Sequence, residues 1–143
     1  PLWLAKTPEV SANLGNDSEM WVRFDESKIH QLVSEGKTVF VDVTADWCIT
    51  CQVNKKLVLN SSAVEKKLTN DNIIRMKADW TRPNKIIAEY LATFGRYGIP
   101  FNVVYGPSVP SGITLPELLT NTAVLGAIQQ AQQNTNSPAT ATR

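Results

Sequence analysis

Two cysteines stand two residues apart in Cys48-Ile49-Thr50-Cys51, and they are the only cysteines in a chain of 143 residues. Thiols at this spacing can close a disulfide and reopen it, so the pair is suited to thiol–disulfide exchange. The thiolate is the nucleophile. A thiol at a helix N-terminus meets unpaired N–H groups and the positive end of the helix dipole, both of which favour the anion. Cys48 is then the attacking sulfur, and Cys51, one helical turn on, resolves the mixed disulfide. Spacing alone leaves two other uses open: a permanently closed structural disulfide, and half of a zinc site. A closed structural zinc site needs four ligands, and the chain adds only one distant histidine, His30. A Cys–His hydrolase would need His30 beside Cys48, which no spacing supports; His30 is placed on the outer side of the first helix and given no role.

The elements that must position this pair are legible on either side of it. The β-branched run Thr38-Val39-Phe40-Val41-Asp42-Val43-Thr44 predicts a strand buried on both faces. The stretch from Ile49 to Leu59 predicts a helix with Val53, Leu57 and Val58 turned inward. Asp42 lies six residues before Cys48. That even spacing along the strand places its carboxylate beneath the cysteines, where burial would raise its pKa towards that of a base working near neutral pH.

The rest of the chain alternates in the same manner. Asp25 caps a helix with Ile29, Leu32 and Val33 on one face, ended by Gly36. Ser62-Ala63-Val64-Glu65 reads as a capping box. Ile73–Ala78 predicts a second strand, and Thr81-Arg82-Pro83 a helix start, followed by Ile86, Ile87, Tyr90, Leu91 and Phe94 at helical period and stopped by Gly95. Gly98-Ile99-Pro100 leads into a strand, Phe101–Tyr105. Gly106-Pro107 turns it into an edge strand over 108–114, and Val124, Leu125 and Ile128 mark a last helix. The expected organisation is an N-terminal arm or linker over 1–22, a single α/β domain over 23–132 with a central mixed β-sheet flanked by helices, and a disordered tail over 133–143. A hydrophobic fraction of 43% supports one real core, and a formal net charge of +1 argues against nucleic acid as a partner. No apolar run reaches the length of a membrane span. The chain begins at Pro1 without an initiator Met and is read as a processed protein or an excised domain, so the lack of a signal peptide says little about compartment.

The segment Val41-Asp42-Val43-Thr44-Ala45-Asp46-Trp47-Cys48-Ile49-Thr50-Cys51 resembles the active-site segment of thioredoxin-fold proteins. Its Ala-Asp-Trp-Cys-x-x-Cys form is most similar to the C-terminal thioredoxin-like domain of the DsbD family of membrane thiol:disulfide interchange proteins and its ScsB-type relatives linked to copper tolerance. Ala78-Asp79-Trp80-Thr81, Phe94-Gly95-Arg96-Tyr97-Gly98-Ile99-Pro100 and Leu115-Pro116-Glu117-Leu118-Leu119 resemble that group too, so the likeness covers roughly residues 20–132.

The resemblance implies a thioredoxin-like fold and a periplasmic reductase that works without a metal or organic cofactor, its redox group being the Cys48–Cys51 disulfide. It implies a membrane domain as electron donor, and periplasmic disulfide proteins as acceptors, the N-terminal domain of the same polypeptide among them. Cytochrome c biogenesis belongs to the same setting. The isolated domain is expected to be a monomer. The resemblance also implies residue roles. Asp42 helps deprotonate Cys51. Lys77 is its cationic partner across the sheet. Trp47 shields the site and joins the docking surface. Ile99 offers its backbone to a substrate chain next to a cis Pro100. Trp80, Tyr97 and Phe101 are candidates for an apolar rim, and Asp46 for a solvated charge at the approach. One departure concerns Lys55, which stands where the family carries a second acidic residue, so the thiolate is expected to form more readily. Ile49-Thr50 carries neither charge nor histidine, which tilts the pair towards the reducing end. The competing readings are a free-standing thioredoxin, a periplasmic oxidant or isomerase, and a module whose two thiolates capture Cu(I).

Overall fold

A computed structural model describes residues 20–70 and 72–132. The arm as far as residue 19, and the tail from residue 133, lie outside the described residues. Among the described residues the sheet is mixed and five-stranded, in the order β1 (Val22–Arg23), β3 (Ile73–Asp79), β2 (Thr38–Thr44), β4 (Phe101–Gly106), β5 (Val109–Thr114). β1, β3 and β2 run parallel; β4 is antiparallel to β2, and β5 to β4. Val22, the last residue of the stretch read as an arm, pairs with Met76, and Arg23 with Lys77.

β2 has a neighbour on each side and helices over each face, which is why its sequence is almost unbroken in apolar residues. Val39, Val41 and Val43 point to one face. There they pack with Ile29 and Val33 of α1 (Glu26–Ser34) and with Ile87, Tyr90 and Leu91 of α4 (Lys85–Thr93). Phe40 points to the other face, against Val64 and Leu68 of α3 (Ser62–Leu68) and Val124 and Ile128 of α5 (Asn121–Gln132). Strand periodicity puts Asp42 and Thr44 on this second face as well. Among the described residues no helix is long and apolar enough to cross a membrane.

Three local expectations are corrected. α4 starts at Lys85, not at Thr81-Arg82-Pro83, because Asn84 is the cap: its side chain accepts from the Ile87 N–H at 3.0 Å. α3 is capped by Ser61, whose hydroxyl accepts from the Val64 N–H, one residue before the expected box. The third concerns the helix after Cys51. α2 (Ile49–Asn54) passes into a π-helical turn, Lys55–Leu59, closed by the Asn60 N–H donating to the Lys55 carbonyl. The extra residue rotates the helix face. Cys51, Asn54, Val58 and Leu59 turn inward, while Val53 and Leu57, expected inside, are 40% and 65% exposed.

Gly106 closes β4 where the chain passes against the end of α5, and the Ser108 N–H donates to the Ala131 carbonyl at 3.0 Å. A Cβ added at Gly106 would lie 2.4 Å from that carbonyl oxygen, which is backbone and cannot swing aside. Gly106→Ala is therefore expected to destabilise the fold by about 1–3 kcal/mol, read as a lower urea midpoint at unchanged slope.

Candidate active site

β2 ends at Thr44, and the chain reaches α2 through Ala45-Asp46-Trp47. Cys48 is the N-cap of α2, in extended backbone conformation, and its Sγ accepts from the Cys51 N–H at 3.2 Å. The two cysteines are joined in a disulfide, with Cα atoms 5.2 Å apart. Both are buried against Ala45 and Ile99. The Gln52 side chain donates to the Ala45 carbonyl at 3.0 Å, fastening the loop to the helix it feeds. The Ile99–Pro100 peptide is cis, as expected. Cys48, Cys51, Ile99 and Pro100, far apart in sequence, therefore share one end of the sheet.

Trp47 is 60% exposed. Its indole N–H donates to the Thr81 carbonyl at 3.1 Å, and the Asp46 N–H donates to the Thr81 hydroxyl at 3.0 Å, so the 79–83 segment holds the residues just before Cys48. Trp47, Trp80, Pro83 and Tyr97 line an open groove of about 420 Å³ beside the disulfide. Phe101 does not belong to that rim. It is buried in the core with Tyr90 and Phe94, because it points to the odd-numbered face of β4. His30 is exposed on α1.

Behind the disulfide lies a polar row across the sheet. Strand register sets Asp42 of β2 beside Lys77 of β3 on one side and Asn102 of β4 on the other. The Asn102 amide nitrogen donates to Asp42 Oδ1 at 2.8 Å. Asp42 and Lys77 line a cleft of about 70 Å³ under α2, to which Thr44, Asp46, Gln52, Lys55 and Asp79 also contribute. Asp42 is half-buried and lines this cleft. Burial raises its pKa to about 6, against the hydrogen bond from Asn102 and the charges of Lys77 and Lys55, which pull it down. Lys55, noted above as a departure in sequence, thus stands across the cleft from Asp42. Among the described residues no cluster of three or more His, Cys, Asp or Glu is placed to hold a metal ion.

Two residues of the site were missed in the sequence. Asn102 is one: a lone amide inside the apolar strand Phe101-Asn102-Val103-Val104-Tyr105 was a signal that some polar partner awaited it. Asn54 is the other, buried three residues after Cys51; its side chain donates to the Glu117 carbonyl at 2.8 Å and accepts from the Leu119 N–H at 3.0 Å.

A Cys-x-x-Cys disulfide at the head of a helix, beside a cis proline and above a central parallel strand pair, is matched by comparison with known proteins. The model of the family described as thioredoxin-like matches residues 20–107. The chain belongs to the thioredoxin-like family. This thioredoxin-like chain is 30% identical over 106 residues to the thiol:disulfide interchange protein DsbD of Yersinia pestis, a match that takes in 74% of the chain and 17% of that protein. It thus spans about a sixth of the curated relative's length. Among solved structures it is similar to the oxidised C-terminal domain of DsbD from Neisseria meningitidis, at a TM-score of 0.60 and 21% identity, covering 78% of this chain and 98% of that one. A thioredoxin from Halobacterium salinarum superposes with a TM-score of 0.56 at 20% identity, over 81% and 92% of the two chains. These structural likenesses establish the fold. The Cys48–Cys51 disulfide of this thioredoxin-like domain is of the kind that can open and close by thiol–disulfide exchange.

Proposed function

We propose that this chain is the reductase domain of a DsbD-type protein. It accepts electrons from a membrane domain and passes them to disulfides of periplasmic proteins. The observation that carries the reading is the placement of Cys48: a helix-capping sulfur that accepts an N–H bond from Cys51, next to the cis Ile99–Pro100 backbone. In the reduced protein the same N–H favours Cys48 as thiolate.

Cys48 thiolate attacks one sulfur of a partner disulfide. The partner S–S bond breaks, a Cys48–partner disulfide forms, and one partner sulfur leaves as thiolate, to be protonated from water. Cys51 then gives its proton to the Asp42 carboxylate and attacks Cys48 Sγ. The Cys48–partner bond breaks, the second partner sulfur leaves, and the Cys48–Cys51 disulfide closes. Two electrons have passed to the partner. Lys77 and Lys55 moderate the Asp42 carboxyl by charge, while Trp47 and the Ile99 backbone receive the partner chain.

The direction of flow rests on Ile49-Thr50, which brings no histidine or charge to stabilise the Cys48 thiolate further. Equilibration with a thiol redox buffer is expected to give a reduction potential of roughly −270 to −220 mV, in the range of an electron donor. A value near about −120 mV would belong to an oxidant and would reverse the assigned direction.

A further inference from the structure

Asn102 is almost fully buried, at 1% exposure, and its two amide ends are treated very differently. Nδ2 donates to Asp42 Oδ1 at 2.8 Å and reaches the Val41 carbonyl at 3.4 Å. Oδ1, equally enclosed, has no hydrogen-bond partner. A buried carbonyl oxygen left without a donor costs free energy, and native structures rarely keep one without a reason. Either protonation state of Asp42 can accept the Nδ2 bond at Oδ1, because a carboxylic acid can carry its proton on Oδ2, but the bond is stronger to the carboxylate.

We propose that Asn102 is a positioning residue for the Asp42 carboxyl, its Nδ2 donor fixing Oδ1 and favouring the carboxylate. The inference rests on the reading of Asp42 as the group that takes the Cys51 proton. Other charged groups facing Asp42 come from three elements: Lys77 and Asp79 from β3, Lys55 from the π-turn after α2, and Asp46 from the loop after β2. Of these Lys77 and Lys55 favour the carboxylate, the same direction as the Nδ2 bond. Hydrogen bonds to a charged acceptor are stronger than those to a neutral one, so on balance Asn102 holds the Asp42 pKa down.

The test is an NMR titration of the disulfide form of the whole chain between about pH 4 and 8, following the Asp42 carboxyl carbon and the Asn102 side-chain NH2. The Asn102 signals are expected to move with the same midpoint as the Asp42 carbon, and to lie flat over this range in Asp42→Asn. In Asn102→Leu the Asp42 midpoint is expected to rise by about one pH unit, a tenfold gain in proton affinity, and the lower limb of the pH profile of partner reduction should move with it. Asn102 signals that ignore the Asp42 titration in the unaltered chain overturn the proposal without requiring any variant to fold. So does an unmoved Asp42 midpoint in folded Asn102→Leu. If Asp42→Asn keeps the original pH profile of exchange, the base assignment of Asp42 fails instead, and the coupled titration still decides the role of Asn102.

Discussion

A Cys51→Ser chain, reduced and mixed with a disulfide partner, is expected to stop as a stoichiometric mixed disulfide through Cys48 and to lose essentially all turnover. The serine hydroxyl fits the buried site against Ala45 and Ile99, but it is no nucleophile towards the Cys48–partner bond at neutral pH. Cys48 keeps its capping position, because the N–H it accepts belongs to the backbone of residue 51 and not to the lost thiol. Cys48→Ser, by contrast, should form no adduct, since the remaining Cys51 is buried within the helix and lacks the N-cap position that favours a thiolate at residue 48. Mass spectrometry under non-reducing conditions checks both. Adducts on Cys51 in the Cys48→Ser chain, or none in the Cys51→Ser chain, would exchange or remove the assigned roles.

Replacing Asp42 by Asn is expected to stabilise the protein and slow it. Burial raises the Asp42 pKa from 3.8 to about 6, so the folded chain holds this proton more tightly than the unfolded chain does. Stability therefore falls as the pH rises from about 4 to about 6, and remains lower above it. The displacement corresponds to about 3 kcal/mol at neutral pH, as an order of magnitude. An uncharged Asn is free of that cost, so Asp42→Asn should unfold at a higher denaturant concentration at pH 7, with the gain vanishing near pH 4. The same change removes the proton acceptor for Cys51 and should slow exchange near neutral pH on the order of a hundredfold. A variant that is more stable yet equally fast, with the original pH dependence, would leave Asp42 no part in the reaction.

The sequence exposed the chemistry more readily than the packing. Cys48 and Cys51 announce themselves by spacing, Asp25 caps α1 where a capping residue was expected, and Ile99-Pro100 carries the cis bond expected of it. Asp42 and Lys77 could be paired because the resemblance to thioredoxin-fold proteins implies it, and the strand register sets them side by side. The π-turn could not be read. Val53, Leu57 and Val58 satisfy an α-helical stripe as well as any residues do, and only the contacts of Val58 and Leu59 with the sheet decide which way the helix is wound. Asn84 lost out to Pro83, a stronger helix-start signal that here stands before the cap. Asn102 was hidden by its neighbours: a strand buried at every position reads as apolar, and an amide within it has meaning only once the opposite strand is known.

The two margins of the sheet have a consequence for how this protein meets others. Among the described residues β1 offers two residues, and β5 carries Pro110 within it, Gly112 folded over Tyr105, and an irregular register against β4. Neither is a good template for adding a further strand, since proline lacks the N–H such pairing needs and short or bulged borders disfavour it. Encounters are thereby steered away from lateral, self-propagating association and towards the tip of the molecule, where contact lasts only as long as one sulfur–sulfur bond.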